Sequence, residues 1–239
     1  MPADPIPPTA PGSPISPRDI SAVVLAGGRG QRMGGVDKGL QPYHGQPLAL
    51  HALQRLRAQT LAPAQLLISA NRHLADYRAW GVPVWPDDGA GAEPGFAGPL
   101  AGLLTALAQV HTPLLLCVPC DAPRFPLSLC ERLVQALCAQ QADLAMAQAP
   151  DTEATGGPGL RTQPVFCLLR TTLRHNLQAH MAAGGRRVQA WSATQRHTLV
   201  PFDQPGDDPL AFANANTLAQ LQALQALAQT PSEPRGGAN

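Results

Sequence analysis

The chain reads as one α/β domain, three layers deep, folded around a mostly parallel central sheet. Two observations predict this class. Short apolar runs alternate along the chain with segments of helical period, the pattern of repeated βαβ units. One of those runs, residues 114–118, is continuously apolar, as expected of a central strand covered on both faces.

The elements follow in order. Ala22-Val23-Val24-Leu25 is the first strand. A helix is expected over 47–59, where Ala49, Ala52, Leu53 and Leu56 fall at i, i+3, i+4 and i+7. Leu66-Leu67-Ile68 forms the next strand, followed by a short helix near 72–80 and an extended run from Val82 to Trp85. Gly98-Pro99 opens a helix with Leu100, Leu103, Leu104 and Leu107 on one face, proline being suited to a first helical turn. After the strand at 114–118, a helix buries Cys130, Leu133, Val134 and Leu137. The Ala/Leu/Gln stretch at 218–228 favours a terminal helix. Seven prolines within residues 1–18 oppose helix and sheet alike, so that segment is expected to be a disordered tail, as is 230–239. The domain is therefore expected to span 19–229, with an irregular stretch at 151–159. No repeat of 20 to 50 residues is present.

Composition removes several functions. Charged residues make up 14% of the chain, against about 25% in an average soluble domain, and the net charge is +1. No basic block offers a nucleic-acid footprint, and no apolar run is long enough for a membrane span. Without a basic-then-apolar leader, a cytoplasmic location is expected. Five cysteines, an odd number, argue against a disulfide framework. Cys117-Val-Pro-Cys120 has redox or zinc spacing, but no second pair or neighbouring histidine completes a site, so the cysteines read as structural.

In a largely parallel sheet, ligands bind beyond the carboxyl ends of the strands. That rule selects residues 26–38, 69–72, 86–98 and 119–123, which are also rich in Gly, Asp and Asn. The first of these holds five glycines between Gly27 and Gly35, able to turn backbone N–H groups toward an anion. Arg32 adds a planar fork for phosphate oxygens. Lys38 adds a compact ammonium, and it is the sole lysine beside 16 arginines. Two familiar phosphate loops do not fit. Gly28-x-Gly30-x-x-Met33 lacks the third glycine of the dinucleotide fingerprint, and Gly39 follows Lys38 where a P-loop needs Ser or Thr.

The string Leu-Ala-Gly-Gly-x-x-x-Arg-Met-Gly-Gly-x-Asp-Lys over 25–38 resembles the signature of the molybdenum cofactor guanylyltransferases. The resemblance continues in order through Ser69-Ala70-Asn71-Arg72-His73, Gly98-Pro99-Leu100-Ala101-Gly102, Pro119-Cys120-Asp121-Ala122-Pro123, Gly185-Arg186-Arg187-Val188 and Phe212-Ala213-Asn214-Ala215-Asn216-Thr217. It covers roughly residues 20–225. It implies a three-layer, Rossmann-like nucleotidyltransferase fold. It also implies an activity, the transfer of GMP from GTP to the terminal phosphate of molybdopterin, with or without molybdenum, releasing pyrophosphate with Mg²⁺ as cofactor. By the same resemblance Leu25, Ala26, Gly27, Gly28, Gly30, Asn71 and Asp87 bind the nucleotide. Arg32 and Lys38 grip the triphosphate, and Asp121 holds the metal. Arg186, Arg187, Asn214 and Asn216 match the pterin side, with Asn214 or Asn216 alternatively bearing on the metal. The expected partners are the two substrates, with transient contact to proteins that insert molybdenum or receive the cofactor, and the expected state is a monomer. Ser69 stands where the family often has Asn, Gly30 where it has Ser or Ala, and Ala122 where Thr is usual.

Each residue has a plainer reading as well. Asp121 before Ala122-Pro123 suits a turn, Asp87-Asp88-Gly89 is a turn signal, Arg186-Arg187 suits a solvated pair, and Asn214 and Asn216 suit helix caps. Two rival functions follow: a cytidylyltransferase acting on the same pterin, and a non-catalytic nucleotide-binding module. Gly27-Gly28 favours guanine, since cytosine-using relatives tend to carry Ala-Gly there.

Overall fold

A computed structural model describes residues 14–28, 35–87, 98–151 and 159–229. The chain runs through β1 (Ile20–Leu25), β2 (Pro42–Tyr43), β3 (Gln46–Pro47), α1 (Leu48–Arg57), β4 (Gln65–Ser69), α2 (Leu74–Arg78), β5 (Val84–Trp85), α3 (Pro99–Gln109) and β6 (Leu114–Pro119). It continues through α4 (Leu129–Ala139), β7 (Leu144–Pro150), β8 (Leu160–Arg170), α5 (Arg174–Ala182), α6 (Val188–Ser192), β9 (His197–Pro201) and α7 (Leu218–Gln229). Among the described residues, no helix is long and apolar enough to cross a membrane.

Seven strands form one sheet in the order β5-β4-β1-β6-β8-β7-β9. Neighbours from β5 to β6 are parallel, as are β7 and β9, while β8 runs antiparallel to both strands beside it. The sheet is thus mostly parallel, as its alternating pattern predicts. Its two faces are covered by different helices, which explains why β1 and β6 read as unbroken apolar runs. Ile20, Ala22 and Val24 of β1 pack with Ala52, Leu53 and Leu56 of α1 and Leu133 and Leu137 of α4. Val23 faces the other way, toward Leu100, Leu103 and Leu107 of α3, Leu177 of α5 and Trp191 of α6. A third cluster seats Leu221 and Leu224 of α7 on Tyr43 and Leu48.

Several expectations change at their edges. The helix expected over 47–59 spans 48–57, and the one near 72–80 is confined to 74–78. His73, in left-handed backbone (φ 51°), precedes it. Tyr43 and Gln46 pair across a turn made by His44 and Gly45, both with positive φ, in a hairpin too short for periodicity to reveal. Ordered structure also begins before residue 19. Pro17–Asp19 forms a 3-10 turn in which Asp19 accepts from the backbone and hydroxyl of Ser16, and Ile15 packs on the core. Residues 1–13 and 230–239 of the expected tails lie outside the described residues.

Strand β8 carries an irregularity that shapes the site. Met146 pairs with Cys167, but Ala147 pairs with Gln163, so residues 164–166 have no partner on β7. Pro164, which has no N–H to donate, falls within that bulge. Cys117, Cys120, Cys130 and Cys167 are buried, and Cys138 is exposed. Cys117 and Cys167 are register partners buried on one face, while Cys120 is buried in the core on the other. Cys117 and Cys120 therefore cannot act as a redox pair.

Candidate functional site

From β1 the chain winds outward through β4 to β5, then returns to place β6 on the opposite side of β1. The segments leaving β1 and β6 consequently diverge, and a crevice opens between them at the switch point of the sheet. The geometry begins in register. Leu25 is the partner of Pro119, Cys120 N donates to Leu25 O at 3.1 Å, and Ala26 N donates to Ser69 O at 2.8 Å. A cleft of about 990 Å³ occupies this position.

At its centre stands the lone lysine. Lys38 Nζ lies 3.3 Å from Asp121 Oδ2, beyond the end of β6, and donates to Asn216 Oδ1 at 2.9 Å. Its backbone is fixed from behind. Asp37 Oδ1 accepts from Gly39 N at 3.0 Å and caps the 3-10 turn that begins at Lys38. The same oxygen accepts from the Tyr77 hydroxyl at 2.6 Å. Asp37 is therefore a buried anchor. Gly39 is required there, because a Cβ would sit 2.4 Å from the Tyr77 hydroxyl oxygen. Asn216 arrives on the segment before α7, held by Ala215 N donating to Asp121 O at 2.7 Å.

Burial pushes the Asp121 carboxyl above the ordinary carboxylate range, and the Lys38 ammonium, through its charge and its hydrogen bond, pulls part of the way back. The Cys120 thiol beside it is pushed well up by burial and by Asp121, so it stays protonated and inert.

A second polar group lies where β4 and β5 end. Ser69 Oγ donates to Asp87 Oδ1 at 2.7 Å, Asn71 Nδ2 donates to Asp87 Oδ2 at 2.9 Å, and Asp87 N donates to Asn71 Oδ1 at 2.7 Å. Gly27 passes close by. A Cβ on it would lie 3.2 Å from Asn71 Nδ2 and 3.3 Å from Asp87 Oδ2.

Of the residues expected at the site, Leu25, Ala26, Gly27, Gly28, Lys38, Asp87, Asp121, Asn214 and Asn216 line the cleft. Asn71 stands behind Asp87, in contact with it. Gly30 and Arg32 lie outside the described residues, as do Asp88 and Gly89. Arg186 and Arg187 are not among the lining residues. Arg186 donates to Met181 O and Gly185 O just past α5, and Arg187 is the residue on which α6 starts. A helix C-terminus offers carbonyls that an arginine satisfies, and a place for Arg186 and Arg187 on the pterin side stays an expectation of the family resemblance. Sequence reasoning also missed the wall formed by Arg161, Gln163 and Phe166 of β8 with Gln189 of α6. It depends on the bulge, which leaves no local signal. Among the described residues no group of three His, Cys, Asp or Glu side chains gathers to hold a metal unaided.

An ammonium, the adjacent glycines that follow β1 and a largely buried carboxylate at a switch point suit a polyphosphate, and none of these groups is an activated side-chain nucleophile. They define a nucleotidyltransferase of the doubly wound α/β class. Residues 22–230 match the MobA-like NTP transferase domain, and the chain belongs to that family. It is 55% identical over 214 residues to a molybdenum cofactor guanylyltransferase of Acidovorax sp. (strain JS42), covering 89% of this chain and 98% of that one. A relative of the same name from Bordetella pertussis is 48% identical, covering 88% and 99%. Among solved structures, the molybdopterin-guanine dinucleotide biosynthesis protein A of Archaeoglobus fulgidus superposes with a TM-score of 0.64 at 18% identity, covering 87% of this chain and 98% of that one. That likeness concerns the fold.

Proposed function

We propose that the protein transfers GMP from GTP to the terminal phosphate of molybdopterin. A phosphate oxygen of the acceptor attacks the α-phosphorus, the bond from that phosphorus to the β-bridging oxygen breaks, and pyrophosphate leaves. The observation that carries this reading is the convergence of Lys38, Asp121 and Asn216 at the switch point. Phosphoryl transfer of this kind asks chiefly for positioning and charge stabilisation. Lys38 supplies a positive charge already directed into the cleft. Gly27 and Gly28 let the backbone approach the nucleotide, and Asp87 offers acceptors to the guanine N1–H and N2 amino group.

The donor set fits a divalent cation. Asp121 and Asn216 present hard oxygen donors, and Mg²⁺ commonly takes only one or two protein ligands, completing its shell with phosphate oxygens and water. Asp121 would hold it, and when bound it would neutralise charge on the phosphates. Lys38, paired with Asp121 and lining the same cleft, stands within reach of the triphosphate.

The guanine reading draws support from Gly27, because a Cβ there would press on the Asn71–Asp87 pair. Thermal unfolding with GTP, CTP, ATP and UTP, each with and without Mg²⁺, tests the whole. A ligand at 100 times its Kd raises stability by about 2.7 kcal/mol. GTP with Mg²⁺ is expected to give the largest rise. Preference for CTP would transfer the reading to a cytidylyltransferase, and indifference to all four would overturn it.

A further inference from the structure

The Asp87 carboxylate is held at both of its oxygens, by Ser69 and by Asn71. We propose that Ser69 and Gly102 are positioning residues that set base selectivity by fixing the plane of the Asp87 carboxylate. The proposal rests on the reading of Asp87 as the acceptor for guanine.

Guanine alone among the common bases presents two adjacent donors, N1–H and the N2 amino group. A carboxylate meets both at once only when its two oxygens lie in the plane of the base. Rotation about the carboxylate bond would leave one donor unmatched. In this protein both oxygens are tied, Oδ1 by the Ser69 hydroxyl and Oδ2 by the Asn71 amide. Each oxygen keeps a further lone pair. Asn71 is in turn fixed by the Asp87 backbone N–H. Ser69 is buried at the end of β4, so its hydroxyl has Asp87 as a ready acceptor.

Gly102 supplies the independent observation. It lies within α3, where alanine is preferred over glycine by about 1 kcal/mol, and it is buried. A Cβ at this position would meet Ser69 Oγ at 2.7 Å, Leu25 Cδ2 at 3.0 Å and Asp87 Oδ1 at 3.3 Å. The first separation is one that real Cβ atoms do not adopt, and serine has no length with which to yield except by rotating off Asp87. The missing side chain therefore protects the Ser69–Asp87 hydrogen bond against the preference of the helix.

The test compares binding of GTP and inosine triphosphate, which lacks the N2 amino group, to the full chain in Mg²⁺ by calorimetry. The parent should prefer GTP. Ser69→Ala should reduce the GTP:ITP preference about tenfold by freeing the carboxylate, a change of about 1.4 kcal/mol. Gly102→Ala should do the same, and the double variant should lose little more than either single one, since both act on one contact. A merely structural role would weaken both nucleotides equally and would make the two substitutions additive, and that result would overturn the proposal. Asp87→Asn separates the two layers. If it abolishes the preference while Ser69→Ala and Gly102→Ala keep it, the positioning proposal fails alone. If Asp87→Asn leaves the preference intact, the reading of Asp87 as base acceptor fails, and the positioning proposal with it.

Discussion

Removing one oxygen atom from Tyr77 should loosen the site from behind. Tyr77 is fully buried, and its hydroxyl donates at 2.6 Å to Asp37 Oδ1, itself nearly inaccessible. Burial, reinforced by neighbouring Cys120 and Asp37, drives the phenol pKa far above its usual range, so Tyr77 remains a donor at every working pH. A hydrogen bond to a charged group contributes about 1.5–3 kcal/mol. Tyr77→Phe leaves Asp37 Oδ1 with the Gly39 N–H at 3.0 Å as its remaining donor from this pair. Taking about 2 kcal/mol for the loss, and about 2–4 °C per kcal/mol for a domain of this size, Tm should fall by about 4–8 °C. The same change relaxes the 3-10 turn that begins at Lys38, so the affinity for GTP with Mg²⁺ should fall as well. Because the Tyr77 oxygen stands 2.4 Å from where a Gly39 Cβ would be, Gly39→Ala should be less damaging in the Tyr77→Phe background than alone. Thermal unfolding and calorimetry read both effects. A Tm within about 1 °C of the parent, with unchanged affinity, would refute the argument that Asp37 and Tyr77 hold the lysine turn.

Further outcomes follow from the same geometry. Lys38→Met should lower turnover by about 10²- to 10³-fold, the loss expected for one preorganised charge donor, while a rate within threefold of the parent would remove Lys38 from the mechanism. Since Lys38 pulls the Asp121 carboxyl down against burial, Lys38→Met should also move the acid limb of Mg²⁺ binding to higher pH, and a shift to lower pH would contradict the pairing. Gly27→Ala should weaken GTP more than CTP, because the new Cβ forces Asn71 and Asp87 to give by a few tenths of an ångström; equal weakening of the two would point to backbone strain instead. Arg132 lies over the Phe202 ring at 3.8 Å and pairs with Asp207, so Arg132→Ala should lower Tm through lost stacking as well as lost charge. Arg132→Lys should then restore little of it.

How much was legible in the sequence differs between elements. Strand β1 could be read because burial on both faces leaves an unbroken apolar run, and helix α1 and the apolar faces of α3 and α4 because burying one face imposes a helical period on the residues themselves. The β2–β3 hairpin, the bulge in β8 and the short α6 could not, because two strand residues, three unpaired residues or a helix of five carry no period. At the site, Gly27, Gly28, Lys38 and Asp121 were marked by residue type and by family resemblance. Ser69, Tyr77 and Gly102 were not assigned such roles, since a serine, a tyrosine and a helical glycine are unremarkable until a partner is brought against them.

What the sequence determined alone was the class of fold, the end of the sheet where the candidate site lies, and the residue types suited to a phosphate. The tertiary structure decided which of them meet. Lys38 reaches Asp121 across 83 residues and Asn216 across 178, through the order of strands in the sheet. It also sent Arg186 to the end of α5 and opened the wall of β8. The physical reason is that periodicity records only whether a residue faces the core, whereas convergence depends on which strand lies beside which, and strand order is settled by long-range packing.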